Sequence, residues 1–176
     1  MTTHVAFLRA INLGKNRRLP MTRVQETLAG AGFTGVETYL ATGNVRVETP
    51  RRSRATVERE IEEALGAGAS FAVPTIVVSP QELRALHTEA VALDVPAQRR
   101  YLTLLKEEPP AEAAARLDAW DVPGEGAKVL GRAVLWWLDH PTAAARLSNA
   151  LVERHVGTAT TRDLKVVATL AERWGA

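Results

Sequence analysis

The strongest constraint on this chain is the order in which the period of its apolar residues changes. His4–Ile11 is short and apolar-rich and runs into a Gly- and Asn-containing loop, the pattern of a strand. Met21, Val24 and Leu28 then recur at helical spacing. Thr22 with Gln25 three residues on reads as a capping box, and Gly30 and Gly32 stop the helix. Glu37–Ala41 and Val45–Glu48 read as strands around Thr42-Gly43-Asn44, where Gly43 accepts and Asn44 tolerates a positive φ. Arg54–Leu65 aligns Val57, Ile61 and Leu65 at spacing four, and Phe71–Val78 is a Val/Ile-rich strand. The order is β-α-β-β-α-β, the split βαβ arrangement of ferredoxin-like folds.

The second half runs in the same order. Ser79-Pro80-Gln81-Glu82 starts a helix, with Ser79 as cap and Pro80 in the first helical position. Thr88 to Gln98 reads as linker. Arg100–Lys106 is a strand, Pro110–Leu117 a helix, and Lys128–Leu130 with Ala133–Asp139 a hairpin around Gly131-Arg132. Pro141–His155 is largely helical. Thr160–Trp174 reads as the last helix, capped by Thr160 and Thr161, which leaves the second half without a closing strand. The expected architecture is α+β, with two ferredoxin-like (βαββα-containing) subdomains. These are residues 1–78, a helix and linker at 79–98, and a C-terminal α+β subdomain at 99–176.

Composition narrows the chemistry. The 176 residues include no Cys, so disulfides, thiolate nucleophiles and Cys-based metal sites are excluded, and a reducing cytoplasm is the expected compartment. The apolar stretch at Val5–Leu8 is too short for a signal peptide, and no run reaches the length of a membrane helix. His4, His87, His140 and His155 match no metal-ligand spacing, so no metal or cofactor is expected. Glu62-Glu63 and Glu107-Glu108 are sequence neighbours that point apart, a poor arrangement for an acid–base pair. Trp136-Trp137 should place one ring in a core and the other on the opposite face of its strand.

The net charge of +2 is too small to mark a nucleic-acid binder. Its distribution says more: Arg9, Lys15, Arg17, Arg18 and Arg23 all precede the first acidic residue, Glu26. The loop Asn12–Pro20 lacks the upstream Gly and the trailing hydroxyl of a phosphate-binding Walker loop.

Three blocks carry a family resemblance. Phe7-Leu8-Arg9-Ala10-Ile11-Asn12-Leu13-Gly14-Lys15-Asn16 resembles the opening of the bacterial domain of unknown function 1697 family. Tyr39-Leu40-Ala41-Thr42-Gly43-Asn44-Val45 resembles its second block, and Thr160-Thr161-Arg162-Asp163 its third. The pattern departs at Ala10, where Gly is common, at Ala41-Thr42, where Gln-Ser is common, and at Asp163, where Asn is common. The resemblance implies an α+β fold with ferredoxin-like subdomains and no established activity.

The candidate ligand-binding residues are Arg9, Asn12, Lys15, Asn44 and Arg162: polar groups at element ends, where loops converge on a ligand. Arg162 is expected in the first turn of the last helix, beside Asp163. An anionic small molecule bearing phosphate or carboxylate is the expected partner. A non-catalytic interaction or homo-oligomer module is the alternative. Nucleic acid is the less favoured third reading, because the strand containing Arg9 offers only Phe7 for base stacking and Val45–Glu48 offers no aromatic.

Overall fold

A computed structural model of the chain describes residues 1–14 and 16–176. The chain divides into two compact units, Met1–Glu82 with Trp174–Ala176, and Leu83–Arg173.

The first unit contains β1 (Thr2–Leu8), α1 (Met21–Gly30), β2 (Thr34–Tyr39), β3 (Asn44–Thr49), α2 (Arg54–Gly68) and β4 (Thr75–Val78). The sheet order is β2-β3-β1-β4, with every neighbouring pair antiparallel. This is the ferredoxin-like arrangement. Alternation along β1 turns Ala6 and Leu8 toward the helices. There they pack with Val45, Val47 and Val77 of the sheet, Val24 and Leu28 of α1, and Val57, Ile61 and Leu65 of α2. The opposite face carries Val5, Phe7, Ile76 and Val78, also buried.

β4 is an edge strand, and its exposed amides need acceptors. Two α2 glutamates, four residues apart and so on one helix face, supply them. Glu62 Oε1 accepts from Thr75 N at 2.8 Å, and Glu58 Oε1 from Val77 N at 2.9 Å. Glu63 instead pairs with Arg59 on the solvent side.

α3 (Pro80–Ala92) leads into the second unit, with Ser79 Oγ accepting from Glu82 N as the capping pattern required. That unit contains β5 (Arg99–Leu105), α4 (Ala111–Asp118), β6 (Glu125–Leu130), β7 (Ala133–Leu138), α5 (Asn149–Val156), β8 (Ala159–Asp163) and most of α6 (Leu164–Trp174). Its sheet order is β6-β7-β5-β8, again wholly antiparallel. Substituting β5, β6, β7 and β8 for the first four strands reproduces the first sheet. Trp136 is in the helix-side core with Leu138, Leu117 and Val152, while Trp137 is half-buried on the other face.

Several boundaries differ from the sequence reading, each for a local reason. Thr160 and Thr161 do not cap a helix; they lie in β8, which closes the second sheet. Thr161 Oγ1 is 2.6 Å from Thr103 Oγ1 across the β5–β8 ladder, and Thr103 Oγ1 also accepts from the Trp136 indole. The β-branched pair serves a strand, and α6 begins only at Leu164. Thr22 makes no cap either. Pro20, with φ −58° and ψ 141°, sets the entry, and α1 starts at Met21. α3 continues to Ala92 through the expected linker, burying Ala90. The stretch after Pro141 forms one 3₁₀ turn at Thr142–Ala144 before α5, which Ser148 caps through Leu151 N.

Candidate functional site

β1 ends at Leu8, so Arg9 is the first residue of the following loop rather than a charge inside a strand; it is half-buried, and its backbone N–H donates to Pro74 O. The loop then takes an unusual path. Ala10, Asn12 and Gly14 have φ of 55°, 54° and 69°. In the turn joining β2 to β3, Leu40 and Gly43 have φ of 60° and 83°. Left-handed backbone costs a non-Gly residue on the order of 1–2 kcal/mol, so it persists only where other contacts enforce it.

Asn12 is the main enforcer. Its Oδ1 accepts from Leu19 N at 2.8 Å, and its Nδ2 donates to Leu19 O at 2.9 Å and to Ala41 O at 2.7 Å. It therefore closes the base of its own loop and pins that loop to the β2–β3 turn. Asn44, fully buried at the head of β3, performs the matching task inside the turn, donating to Tyr39 O and Thr42 Oγ1. Arg17 is likewise committed. It donates to Ala10 O and Ala72 O, both at 2.6 Å, and its guanidinium sits 4.5 Å over the Phe71 ring.

Of the five residues singled out from the sequence, Arg9, Asn12 and Asn44 thus gather at one end of the first sheet. Asn12 and Asn44 build the loops there, and both amide hydrogens of Asn12 are already used. Lys15 lies outside the described residues. Arg162 lies in the second unit, in β8 opposite Leu102, and not in a helix turn. It is buried, donates to Thr160 Oγ1 at 2.8 Å and Thr161 O at 2.9 Å, and desolvation pushes its guanidinium pKa down to about 10. At neutral pH it remains charged. Asp163 caps α6 instead of pairing with Arg162: its Oδ1 accepts from Lys165 N at 2.8 Å.

The second unit holds a polar centre that the sequence reading missed. Glu125, at the start of β6, accepts from Arg146 N at 2.6 Å, Leu147 N at 2.8 Å and the Trp120 indole at 3.2 Å. His140 Nε2 lies 3.2 Å from its Oε1. Burial pushes this carboxyl up, but the Arg146 and Leu147 amides, the Trp120 indole and the His140 charge outweigh it and hold the pKa below the ordinary glutamate value. Its two shortest bonds come from backbone amides some twenty residues away, so no motif announces it.

Among the described residues, no group of three His, Cys, Asp or Glu side chains is placed to hold a metal ion. Nor is any helix among them long and apolar enough to cross a membrane.

Residues 1–135 match the sequence profile of the family described as "Protein of unknown function (DUF1697)". The chain belongs to that family. Both loops at the end of the first DUF1697 sheet fall within the matched stretch, whereas the Thr160–Asp163 block lies beyond it. Among solved structures, this DUF1697 chain is similar to the conserved bacterial protein SP0830 from Streptococcus pneumoniae. The two share 18% identity with a TM-score of 0.78, over 100% of this chain and 99% of that one. At that identity the likeness concerns the fold. No curated protein sequence matches the chain.

Proposed function

We propose that this protein binds a small molecule bearing a phosphate or carboxylate at the end of β1, in the cytoplasm. One observation carries the reading. Among the described residues, three of the four non-glycine residues with left-handed backbone, Ala10, Asn12 and Leu40, gather on two loops that Asn12 clamps together. Conformations that costly cluster where a loop must present itself in one fixed shape. The charges on that frame are positive: Arg9, Arg18 and, in the same loop of the sequence, Lys15. In this scheme Asn12 and Asn44 are positioning residues, and Arg9 with the loop cations contacts the anion.

Titration of the protein with inorganic phosphate and short carboxylates, followed by amide NMR, tests this. Signals from residues 9–14 and 40–43 are expected to move saturably. Arg9→Gln should weaken binding by about 1.5–3 kcal/mol, the range of a hydrogen bond to a charged group. Unchanged affinity in Arg9→Gln would remove Arg9 from the site.

A second reading, an interaction or homo-oligomer module, is favoured by Leu13 and Leu40. These large apolar side chains are 66% and 47% exposed on the same two loops. Light scattering over a concentration series distinguishes the two readings. A dimer that dissociates in Leu13→Asp supports the module, and a monomer at every concentration rejects the homo-oligomer.

A further inference from the structure

The second unit contains a cavity of about 180 Å³ walled by α3, β5 and the start of α6. His87 enters it from α3, Arg100 from β5 and Lys165 from α6, with Gln98 at the rim; Val91, Leu164 and Ala168 supply apolar wall. Asp163 is the one acid in the lining, and its Oδ1 is already taken up by Lys165 N.

What sets this cluster apart is that most of its polar side chains are unpaired within a cavity, some of them partly withdrawn from solvent. Several cations elsewhere are neutralised by a carboxylate: Arg46 by Glu37 and Glu48, Arg51 by Glu60, Arg59 by Glu63, Arg116 by Glu112 and Lys128 by Asp118; others, such as Arg18 and Arg52, stand free in solvent. Among the described residues, the side chains of His87, Gln98, Arg100 and Lys165 have no hydrogen-bond or ion-pair partner. Yet Arg100 and His87 are half-buried. A guanidinium partly withdrawn from water without a bonded counter-ion is costly, and with two cations against the single Asp163 carboxylate the lining stays net positive, so an anion entering the cavity would offset that cost.

We infer that this cavity is a second binding site, for a small organic anion: a carboxylate or phosphate monoester with an apolar part of a few carbons. Arg100 and Lys165 bind the charged group, with His87 and Gln98 supplying further donors. Val91, Leu164 and Ala168 receive the carbon chain. The volume sets an upper size, because sites for drug-sized ligands typically run to about 300–1,000 Å³. The inference is independent of the reading at β1, since it uses none of the same residues.

The test is titration of the full-length ¹⁵N-labelled chain with butyrate, methyl phosphate and inorganic phosphate, against sodium chloride at equal ionic strength. Butyrate or methyl phosphate is expected to shift the amides of Gln98, Arg100, Lys165 and Ala168 saturably, which chloride does not. The tighter of the two identifies the preferred head group. Inorganic phosphate, lacking the carbon chain, should bind more weakly than methyl phosphate.

Arg100→Gln with Lys165→Gln should raise Kd at least tenfold, while Arg9→Gln leaves the cavity signals unchanged. The exposed Lys165→Gln alone, expected to raise Kd severalfold, serves if the double variant does not fold. Ala168→Leu, which fills the apolar wall, should abolish butyrate binding. The inference is overturned if neither organic anion gives a saturable shift at these amides, or if Kd is unchanged in the glutamine variants. Loss of the β1-loop shifts with retention of the cavity shifts would reject only the earlier reading.

Discussion

Glu125→Ala is expected to lower the unfolding free energy by about 3–5 kcal/mol at neutral pH, the scale for removing one member of a buried, charge-bearing hydrogen-bond cluster. The side chain is almost fully enclosed, and it engages four groups from three segments. Truncation leaves the Arg146 and Leu147 amides and the Trp120 indole without their acceptor. It also frees the segment between β7 and α5 from the start of β6. Leu147, buried in the helix-side core, goes with it.

The same group gives a pH signature. The carboxyl is held below its ordinary value in the folded state, so its charged form contributes stability that is complete above the unfolded glutamate pKa. That contribution is lost as pH falls through the lower, folded value. Glu125→Gln keeps the shape and removes the charge. Its deficit relative to the natural protein should be large at pH 7 and should shrink as pH drops below the ordinary glutamate range. Asp118 behaves in the same sense: burial pushes it up, but Lys128 and the Val129 amide hold it below its usual value. Urea denaturation at pH 7 and at pH 3 checks this. An equal Glu125→Gln deficit at both would show that its charge contributes nothing.

Much of the architecture was legible because the apolar period changes where the chain changes element. Val57, Ile61 and Leu65 at spacing four could only be one helix face, and the Val/Ile run ending at Val78 a strand. β8 was not legible for an equally physical reason. Two threonines before an amphipathic run are good N-caps and good strand residues alike, and only the ladder to Thr103, nearly sixty residues back, decides between them. Reading them as caps put Arg162 in a helix and hid the symmetry of the two sheets.

At the candidate site, the sequence placed Asn12 and Asn44 in loops and Arg9 at the end of the first strand, but did not show what each does there. An asparagine before Leu-Gly and one after Thr-Gly look like turn formers or like ligand contacts. The bonds from Asn12 to Leu19 and Ala41 distinguish the two, and they join positions seven and twenty-nine residues apart. Glu125 and the Arg100–Lys165 cavity left no local trace, since each is assembled from segments remote in sequence.

Gly43→Ala should lower stability by about 2–4 kcal/mol, the sum of a left-handed backbone penalty and core overpacking. Gly43 has φ 83°, and a Cβ there would lie 2.7 Å from Leu8 Cβ and 2.8 Å from Ile11 Cδ1. Neither neighbour can retreat easily, because Leu8 and Ile11 are core residues beneath the two loops. The Gly43 carbonyl also accepts from Leu8 N at 2.8 Å, so the turn cannot lift away without breaking the end of the β1 ladder. Gly131 provides the internal control. It too has a positive φ, 54°, but a Cβ there meets nothing within 4 Å. Gly131→Ala should therefore show the backbone penalty alone, about 1–2 kcal/mol. The excess loss at Gly43 measures how tightly the β2–β3 turn is pressed onto the end of β1. Because Asn12 reaches across to Ala41 in that same turn, Gly43→Ala should also broaden or move the amide signals of residues 9–14. Equal losses at Gly43 and Gly131, measured by urea denaturation, would mean that the two loops are not held as one rigid frame, and the proposed anion site would lose its structural basis.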